Sequence, residues 1–298
     1  MYRLMLYYLI FLVAVASILS FIGLLSYNGL DILGSAVYLS FICWLANKIL
    51  AKILKVKTNP ESALISGLIL SLILDPSNTL SSFMVPAFAG TAAMVSKYLI
   101  AWRGRHIFNP AAFGSLASVV ILGQGASWWA GVLPIAPFIL IGGFLILKKI
   151  RRFEMVVAFF TSMILLIMIS TILSHQPFDL FVWLQNQAIL LFISPLAFFS
   201  LVMLVEPLTS PFKRSHQIIY ATLIAILFFL LGNVVSYPLE VSLLIGNIFA
   251  YVANFWNGPC PIRIRRTGES DKHLVSFYEN RGYRTVGILL DNVDNNEP

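Results

Sequence analysis

The stretch Lys97–Gly114 has the residue types and spacing most suited to chemistry, because it joins a basic helix end to a short apolar helix. Asn109 followed by Pro110 is typical of a helix N-cap and the first helical position. A helix N-terminus carries partial positive charge, and Arg103, Arg105 and His106 lie just before it. Together these groups could bind an anion such as a phosphate. An ordinary basic loop before a capped helix would give the same pattern.

A second candidate is Glu206, a carboxylate at the end of a long apolar segment. Ionisable groups at membrane depth are functional candidates because their burial is costly. Glu206 could therefore relay a proton or a cation. Pro207 offers a simpler explanation, since a proline disfavours helical geometry in the residue before it and acid–proline pairs often end helices. Lys97 also lies within an apolar run, and its side chain could simply extend to the membrane surface.

Several other kinds of chemical site are excluded by the sequence. It contains no P-loop, no dinucleotide-binding glycine motif and no nucleophile elbow. The two cysteines, Cys43 and Cys260, cannot by themselves form a four-thiolate iron–sulfur or zinc site. None of the four histidines lies in the middle of an apolar segment, which makes a bis-histidine membrane haem a poor fit.

The composition indicates a membrane protein. Of 298 residues, 59% are hydrophobic and only 11% are charged, whereas a soluble domain typically has about 25% charged residues. The mean hydropathy of +0.86 agrees. These values exclude a soluble domain, a disordered chain and a nucleic-acid binder. The net charge of +7 is then explained by basic residues in cytoplasmic loops.

The elements that must position these residues are apolar segments of membrane-spanning character. A spanning helix needs roughly 20 apolar residues, and two segments, 62–74 and 110–123, are short enough to be half-helices. The sequence therefore predicts an all-α integral membrane protein whose segments cover 5–26, 31–54, 62–74, 80–102, 110–123, 131–147, 154–174, 187–205, 217–236 and 240–256.

The distribution of basic residues predicts the orientation of these segments. If each segment crosses the membrane in turn, all 20 Lys and Arg residues lie at or near one side. By the positive-inside rule that side is the cytoplasm, so both termini are expected on the cytoplasmic side of the plasma membrane. Residues 1–256 form the expected transmembrane domain. The polar segment 257–298 is expected in the cytoplasm, as a solvated tail or as a docking segment for a partner.

The ten segments divide into two halves, about 1–130 and 131–256. An odd number of crossings in each half would invert the second half relative to the first, and inverted repeats often place their site on broken helices at the midplane. Asp75-Pro76 and Glu206-Pro207 each end an apolar run at corresponding places in the two halves. We therefore expect a 5+5 inverted repeat.

Four stretches in order resemble one known family: Glu61–Gly67, Lys97–Gly114, Gly142–Arg151 and Phe199–Pro211. The sequence is similar to the NqrB/RnfD family, whose members are integral-membrane components of sodium-pumping NADH:quinone reductase and of the Rnf electron-transport complex. This resemblance implies a fold like that of ammonium and urea channels. It also implies flavin-dependent electron transfer, coupled to cation movement, in a complex with a soluble flavin or NADH reductase.

The resemblance also suggests roles for individual residues. Glu206 matches the family's acid–proline position and is the expected proton or cation relay. A flavin or quinone is expected near Phe108–Gly114 and Glu206–Pro211. The residues expected to bind this cofactor or a partner are Lys97, Arg103, Arg105, Phe108, Asn109, Pro110, Thr209 and Ser210.

One connection departs from the family pattern. Members with covalent FMN esterify a threonine in a connection that here reads Gly123–Gly131, which has no threonine and offers only Ser127. We therefore expect a non-covalent flavin, either FMN or riboflavin, and no covalent FMN. The chain also lacks the family's soluble redox domains, so it would act as a non-autonomous subunit. The alternatives are a redox-silent transporter or channel of the same fold, or a membrane anchor subunit.

Overall fold

The computed structural model describes residues 2–56, 58–76, 81–102, 105–174, 179–256, 261–266 and 284–290. The helices of the first half are α1 (Tyr2–Phe21), α2 (Gly29–Ile53), α3 (Pro60–Ile73), α4 (Met84–Leu99) and α5 (Pro110–Leu122). Those of the second half are α6 (Ala136–Ile150), α7 (Phe153–Leu173), α8 (Leu180–Phe192), α9 (Pro195–Phe198), α10 (Arg214–Leu231) and α11 (Pro238–Trp256). A π-helical turn, Phe199–Met203, continues α9, and a short 3₁₀ turn, Ser81–Phe83, precedes α4.

The helices have the lengths and apolar surfaces of a helical membrane protein. Five described helices are long and apolar enough to cross a membrane: α1, α2, α7, α10 and α11. Helix α8 and the α9–π segment would form a sixth span, bent by 55° at its break. All ten predicted apolar segments coincide with helical structure, and the two short ones correspond to α3 and α5, of 14 and 13 residues. Ten crossings remain a prediction.

Local sequence explains where the short helices begin. Asn59 caps α3 by accepting a hydrogen bond from the backbone N–H of Glu61. Asn109 caps α5 in the same way, through the N–H of Ala112 at 3.0 Å. Each cap is followed by proline, whose fixed φ suits the first helical position. The predicted N-cap at Asn109 is confirmed.

The eighth apolar segment is broken, whereas the sequence predicted one run over 187–205. Ser194 is extended, and its hydroxyl accepts a hydrogen bond from the N–H of Leu196. Pro195 has no N–H to continue the preceding helix, so α8 ends and α9 starts there. The five-residue π-helical turn that follows delivers Glu206 to the end of this segment.

A loop over 123–135 occupies the start of the segment predicted at 131–147, so α6 begins only at Ala136. This loop supplies donors to the last carbonyls of α3. The N–H groups of Ser127 and Trp128 both donate to the Ile73 carbonyl at 2.9 Å, and that of Ala130 donates to Leu72 at 3.3 Å. Helix ends leave carbonyls without intrahelical partners. The loop therefore stabilises the place where α3 stops inside the protein.

Several helix contacts of residues 1–130 recur in residues 131–256. Helix α2 contacts α4 as α7 contacts α10, and α4 contacts α5 as α10 contacts α11. Likewise, α1 contacts α3 as α6 contacts α9, whereas the extensive α1–α2 and α2–α3 contacts have no equally extensive equivalents among the described helices. Helix α1 also contacts α6, and α5 contacts α11. The α5–α11 contact matters most here, because it carries the polar groups described below.

Two glycines allow the half-helices to approach their neighbours closely. A Cβ on Gly67 of α3 would lie 2.8 Å from the Leu39 carbonyl oxygen of α2. A Cβ on Gly114 of α5 would lie 2.2 Å from the Ala89 carbonyl oxygen of α4. Any side chain at either position would meet backbone atoms that cannot move aside. Because neither glycine has a Cβ, α3 and α5 can pack directly against the backbones of α2 and α4.

Four short strands complete the described structure. Strands β1 (Ala101–Trp102) and β2 (Arg105–His106) form an antiparallel pair between α4 and α5. The polar tail contributes β3 (Pro261–Arg266) and β4 (Arg284–Leu290), which pair in parallel. The β1–β2 pair positions the basic residues before Asn109, and the Ile107 N–H bonds back to the Ile100 carbonyl at 3.0 Å.

Candidate functional site

The carboxylate of Glu206 lies where two interrupted helical segments meet. Its Oε2 atom accepts hydrogen bonds from Asn109 Nδ2 at 2.8 Å and from Thr209 Oγ1 at 3.1 Å. Asn109 begins α5, whereas Glu206 follows the π-helical turn after α9. The Glu206 side chain remains 27% exposed. The site is therefore a carboxylate fixed by two neutral donors but still open to solvent.

His106 brings an imidazole to the other carboxylate oxygen. Its Nε2 atom lies 3.5 Å from Glu206 Oε1, beyond the usual length of a hydrogen bond. The imidazole is buried, with its side chain 6% exposed, and Nε2 has no hydrogen-bond partner among the described residues. A proton on this nitrogen would make the pair ionic. The position of His106 follows from its place in β2, three residues before the cap of α5.

The loop 206–212 is held by groups from three directions. The Ser210 hydroxyl donates to the Glu206 carbonyl and accepts from the Arg152 guanidinium. Gln217 of α10 donates through Nε2 to the Pro211 carbonyl at 2.9 Å. These bonds restrict the backbone that carries Glu206 and thereby help to fix the position of its carboxylate.

Arg152 is a buried cation in this environment, only 7% exposed. Burial lowers the pKa of Arg152 to about 10, and the charges of Tyr220 and Glu206 partly oppose that effect. The shift measures how strongly removal from water penalises the guanidinium. Arginine nevertheless stays protonated at neutral pH. Arg152 thus supplies a positive charge that compensates Glu206 from behind the loop.

Helix α11 presents a polar face built from residues seven apart: Glu240, Asn247 and Asn254. Such a spacing returns side chains to nearly the same side of a helix. Asn247, near the middle of α11, accepts from the Asn109 N–H at 2.8 Å and donates to the Thr209 carbonyl at 3.1 Å. It also donates to the Tyr220 hydroxyl at 3.0 Å.

Asn254 repeats this role one step further along α11. It accepts from the Phe212 N–H at 3.0 Å and donates to the Ser210 carbonyl at 3.3 Å. Asn247 and Asn254 therefore satisfy backbone groups of non-helical chain, which has to be paired when it lies inside a membrane protein. Asn233, which follows the C-terminal end of α10, is exposed.

Lys97 is directed into the protein. Its Nζ atom donates to Asn47 Oδ1 at 3.3 Å, and the neighbouring Tyr98 hydroxyl donates to the same oxygen at 2.7 Å. Asn47 is buried, at 1% exposure. The ammonium also interacts electrostatically with Glu206. Lys97 therefore contributes positive charge to the site while it is hydrogen-bonded to α2.

The remaining predicted site residues are Arg103, Arg105, Phe108 and Pro110. Arg105 places its guanidinium over the Phe212 ring, 4.5 Å from the centroid. Phe108 stacks on Phe113 with 5.9 Å between ring centroids, and Pro110 is buried as the first residue of α5. Arg103 lies outside the described residues. The structure thus brings Asn109, Thr209 and Ser210 directly to Glu206.

These contacts bear on the phosphate-binding arrangement expected at α5. The Asn109 N–H is bonded to Asn247, the Ala112 N–H is bonded to the Asn109 side chain, and the Asn109 amide donates to Glu206. The groups that would hold a phosphate are therefore engaged internally, and a carboxylate already lies beside them. This geometry does not fit the phosphate of a flavin at the start of α5.

A metal ion fits the site no better. The described residues contain no cluster of three His, Cys, Asp or Glu side chains that could hold one. The Glu206 carboxylate is surrounded by donors from Asn109 and Thr209 and by the imidazole of His106. Such a donor set stabilises a negative charge on the carboxylate.

The connection Gly123–Gly131, which lacks the threonine of covalent-FMN proteins, reaches the core through its last residues. Trp128, Trp129 and Ala130 are buried, and Trp129 Nε1 donates to the Ser71 carbonyl at 2.9 Å. Ser127 is exposed, and its hydroxyl donates to the Ile73 carbonyl at 3.4 Å. Its hydroxyl is thus part of the contact that covers the end of α3.

Sequence reasoning missed two residues that the structure places in polar networks, Arg152 and Glu240. Arg152 was one of the basic residues assigned to the cytoplasmic side. Glu240 was not singled out at all. It is in fact 1% exposed, and its Oε1 accepts from Ser115 Oγ at 3.2 Å and Trp128 Nε1 at 3.1 Å. The seven-residue spacing to Asn247 and Asn254 was the available signal.

Comparison of the chain with protein-family models and with curated protein sequences finds no match.

Proposed function

We propose that the chain is the membrane subunit of an electron-transfer complex and that Glu206 relays protons within it. One observation carries this proposal. The two stretches that most specifically carry the family resemblance, Lys97–Gly114 and Phe199–Pro211, meet in the hydrogen bond between Asn109 and Glu206. They are 97 residues apart at that bond, so their contact is a property of the fold.

The chemistry around Glu206 favours protons as the transported species. Asn109 and Thr209 donate to one carboxylate oxygen, and the imidazole of His106 lies near the other. A metal cation would need oxygen acceptors in place of such donors. Histidine exchanges protons near neutral pH, and Glu206 is partly exposed. The pair can therefore pass a proton between solvent and the protein interior.

The cytoplasmic loops and the 257–298 tail would dock a soluble flavin or NADH reductase. Both termini would lie on the cytoplasmic side of the plasma membrane. The non-covalent flavin or quinone implied by the resemblance is not assigned to the start of α5, where the donors are engaged. Electron transfer would depend on the partner subunits, which makes this chain a non-autonomous part of an oxidoreductase. The 5+5 inverted repeat belongs to the same proposal and is supported by the corresponding helix pairs.

The test uses the native complex, purified through an affinity tag on this chain and reconstituted in liposomes with a pH-sensitive dye. Glu206→Gln keeps the shape of the side chain but cannot exchange a proton. We expect NADH-driven proton movement to fall by roughly 100-fold, as for other positioned proton-transfer groups. Unchanged proton movement in Glu206→Gln would refute the relay.

Glu154→Gln is the matched control for this test. Glu154 makes an exposed ion pair with Arg214 at 3.3 Å, away from the polar network. Exposed ion pairs contribute little to stability. The control variant should therefore keep both turnover and proton movement at the level of the unmodified protein, and a loss in it would show that acid-to-amide changes act non-specifically.

A redox-silent transporter is the second candidate, and the lack of a threonine in the Gly123–Gly131 connection favours it. Trp128 and Trp129 fill the place where the resemblance would put a covalent flavin. Flux of protons in liposomes that contain only this chain, without any chromophore, would favour this function over the first. Membrane anchoring alone would be favoured by co-purifying partners without flux and without a chromophore.

A further inference from the structure

Glu240 is a second buried acid that the relay at Glu206 does not use. It lies in the first turn of α11 and is 1% exposed. Its two side-chain donors, Ser115 of α5 and Trp128 of the 123–135 loop, approach the same oxygen, Oε1. Neutral donors of this kind hold the carboxyl in place without neutralising a charge.

The surroundings of the two acids differ sharply. Glu206 interacts with Lys97 and Arg152 and lies near His106. Within the described part of the chain, no salt bridge or cation contact reaches Glu240. Buried carboxylates without a cationic partner are rare because the charged form is too costly. The surroundings of Glu240 therefore favour its protonated form, whereas those of Glu206 compensate a negative charge.

The elements packed around Glu240 contribute no nearby charge among the residues that the structure describes. Helix α5 faces it with Ser115, and the 123–135 loop faces it with Trp128. Helix α10, which packs along α11, has its titratable groups elsewhere: Arg214 and His216 in its first turn, and Tyr220 beside Asn247. Among the described residues, therefore, no neighbouring charge controls the protonation of Glu240.

The two acids lie at successive levels of one polar seam, which we define as Asn109 and Ser115 of α5 with Glu240 and Asn247 of α11. Hydrogen bonds cross the seam at both levels, from Asn109 N–H to Asn247 and from Ser115 to Glu240. Seven residues separate Glu240 from Asn247, which is about 10 Å along the helix. Glu206 joins the seam through Asn109.

We propose that Glu240 is a second proton-binding carboxyl, in series with Glu206 along the α5–α11 seam. This inference rests on the proposed function of Glu206. The ligand is a proton, because the indole N–H of Trp128 is only a donor and would repel a metal cation.

The transfer balances in protons and charge. Glu240 releases its proton to solvent at the N-terminal end of α11 and becomes a carboxylate. Glu206, protonated from solution, then gives its proton along the seam to Glu240, and Glu206 is again ionised. One proton enters at Glu206 and one leaves at Glu240.

Infrared spectroscopy of the purified full chain tests this without partners or turnover, so it can fail while the electron-transfer proposal stands. We expect a protonated-carboxyl C=O band at neutral pH that Glu240→Gln removes and Glu154→Gln leaves in place. Glutamine keeps an oxygen acceptor for Ser115 and Trp128, so the fold should persist. If Glu240→Gln does not fold, Trp128→Phe should shift the same band by removing one donor.

Transfer into D₂O then tests the connection between the acids. The band should move to lower frequency as the carboxyl exchanges, and Glu206→Gln should slow that movement severalfold. A missing band would show that Glu240 is ionised and overturn the proposal. A band that never exchanges, or one whose exchange is unaffected by Glu206→Gln, would make Glu240 a structural acid and overturn it equally.

Discussion

Asn109 donates a hydrogen bond to Glu206 at 2.8 Å while its own side-chain oxygen caps α5. One amide therefore fixes both the start of a half-helix and the orientation of the candidate proton carrier. Its backbone N–H is also engaged, by Asn247 of α11. Three elements that are distant in sequence converge on this residue, so its loss should be felt in stability and in the site together.

Asn109→Ala is expected to destabilise the protein by about 1–3 kcal/mol, because it removes an N-cap and leaves Glu206 without one of its donors. Thermal unfolding in detergent, followed by circular dichroism, measures the change. Asn233→Ala is the control, since Asn233 is exposed. Equal melting temperatures for the two variants would contradict the role given to Asn109.

Gly114→Ala should destabilise the protein by about 1–3 kcal/mol through overpacking. The new Cβ would lie 2.2 Å from the Ala89 carbonyl oxygen, so α5 must move away from α4. Gly34→Ala in α2 is the matched control, because nothing lies within 4 Å of its Cβ position. That change should be neutral or stabilising by about 0.5–1 kcal/mol. Similar melting temperatures for both alanine variants would mean that α5 does not pack as described.

The helices could be predicted from sequence because their signals are local. Apolar runs marked every segment, and the Asn109-Pro110 pair marked the start of α5. The break at Ser194-Pro195 was missed because the apolar run continues through it, although proline carried the signal. Helix α6 started later than predicted, because the apolar residues Val132, Leu133 and Ile135 form a loop that continues the apolar run of the helix without a local break in hydrophobicity.

The site was harder to predict, since its contacts join distant residues. Asn109, Thr209 and Ser210 were identified through a resemblance, and the structure brings all three to Glu206. Arg152 and Glu240 were missed for a physical reason. A charge near a helix end has the same sequence signature whether it faces solvent or a buried partner, and only the tertiary fold distinguishes the two.

Any flavin that the protein carries should be released by acid. The Gly123–Gly131 connection has no threonine, and the Ser127 hydroxyl donates to the Ile73 carbonyl at 3.4 Å. We expect a yellow supernatant and a colourless pellet after acid precipitation of the purified protein. Colour retained in the pellet would show a covalent flavin and contradict this prediction. Ser127→Ala, the control, should leave the absorbance spectrum unchanged.

Stability at high pH should depend on Tyr27, in the connection between α1 and α2. Its hydroxyl donates to the Asp75 carboxylate after α3. Burial, followed by the hydrogen bond and charge of Asp75, raises the pKa of Tyr27 to about 12 from 10.0. The unfolded chain therefore loses this proton first, so the contribution is complete below pH 10 and disappears as the pH rises through 12.

Melting temperatures measured across that pH range should consequently fall more steeply for the unmodified protein than for Tyr27→Phe, which has no proton to lose. Asp75→Asn should give an intermediate slope, because it removes the negative charge but leaves the burial of the phenol. Tyr7→Phe serves as the control, since Tyr7 is an exposed residue of α1. The melting temperatures of Tyr7→Phe should follow those of the unmodified protein. If those of Tyr27→Phe also follow the unmodified protein, Tyr27 and Asp75 are not coupled.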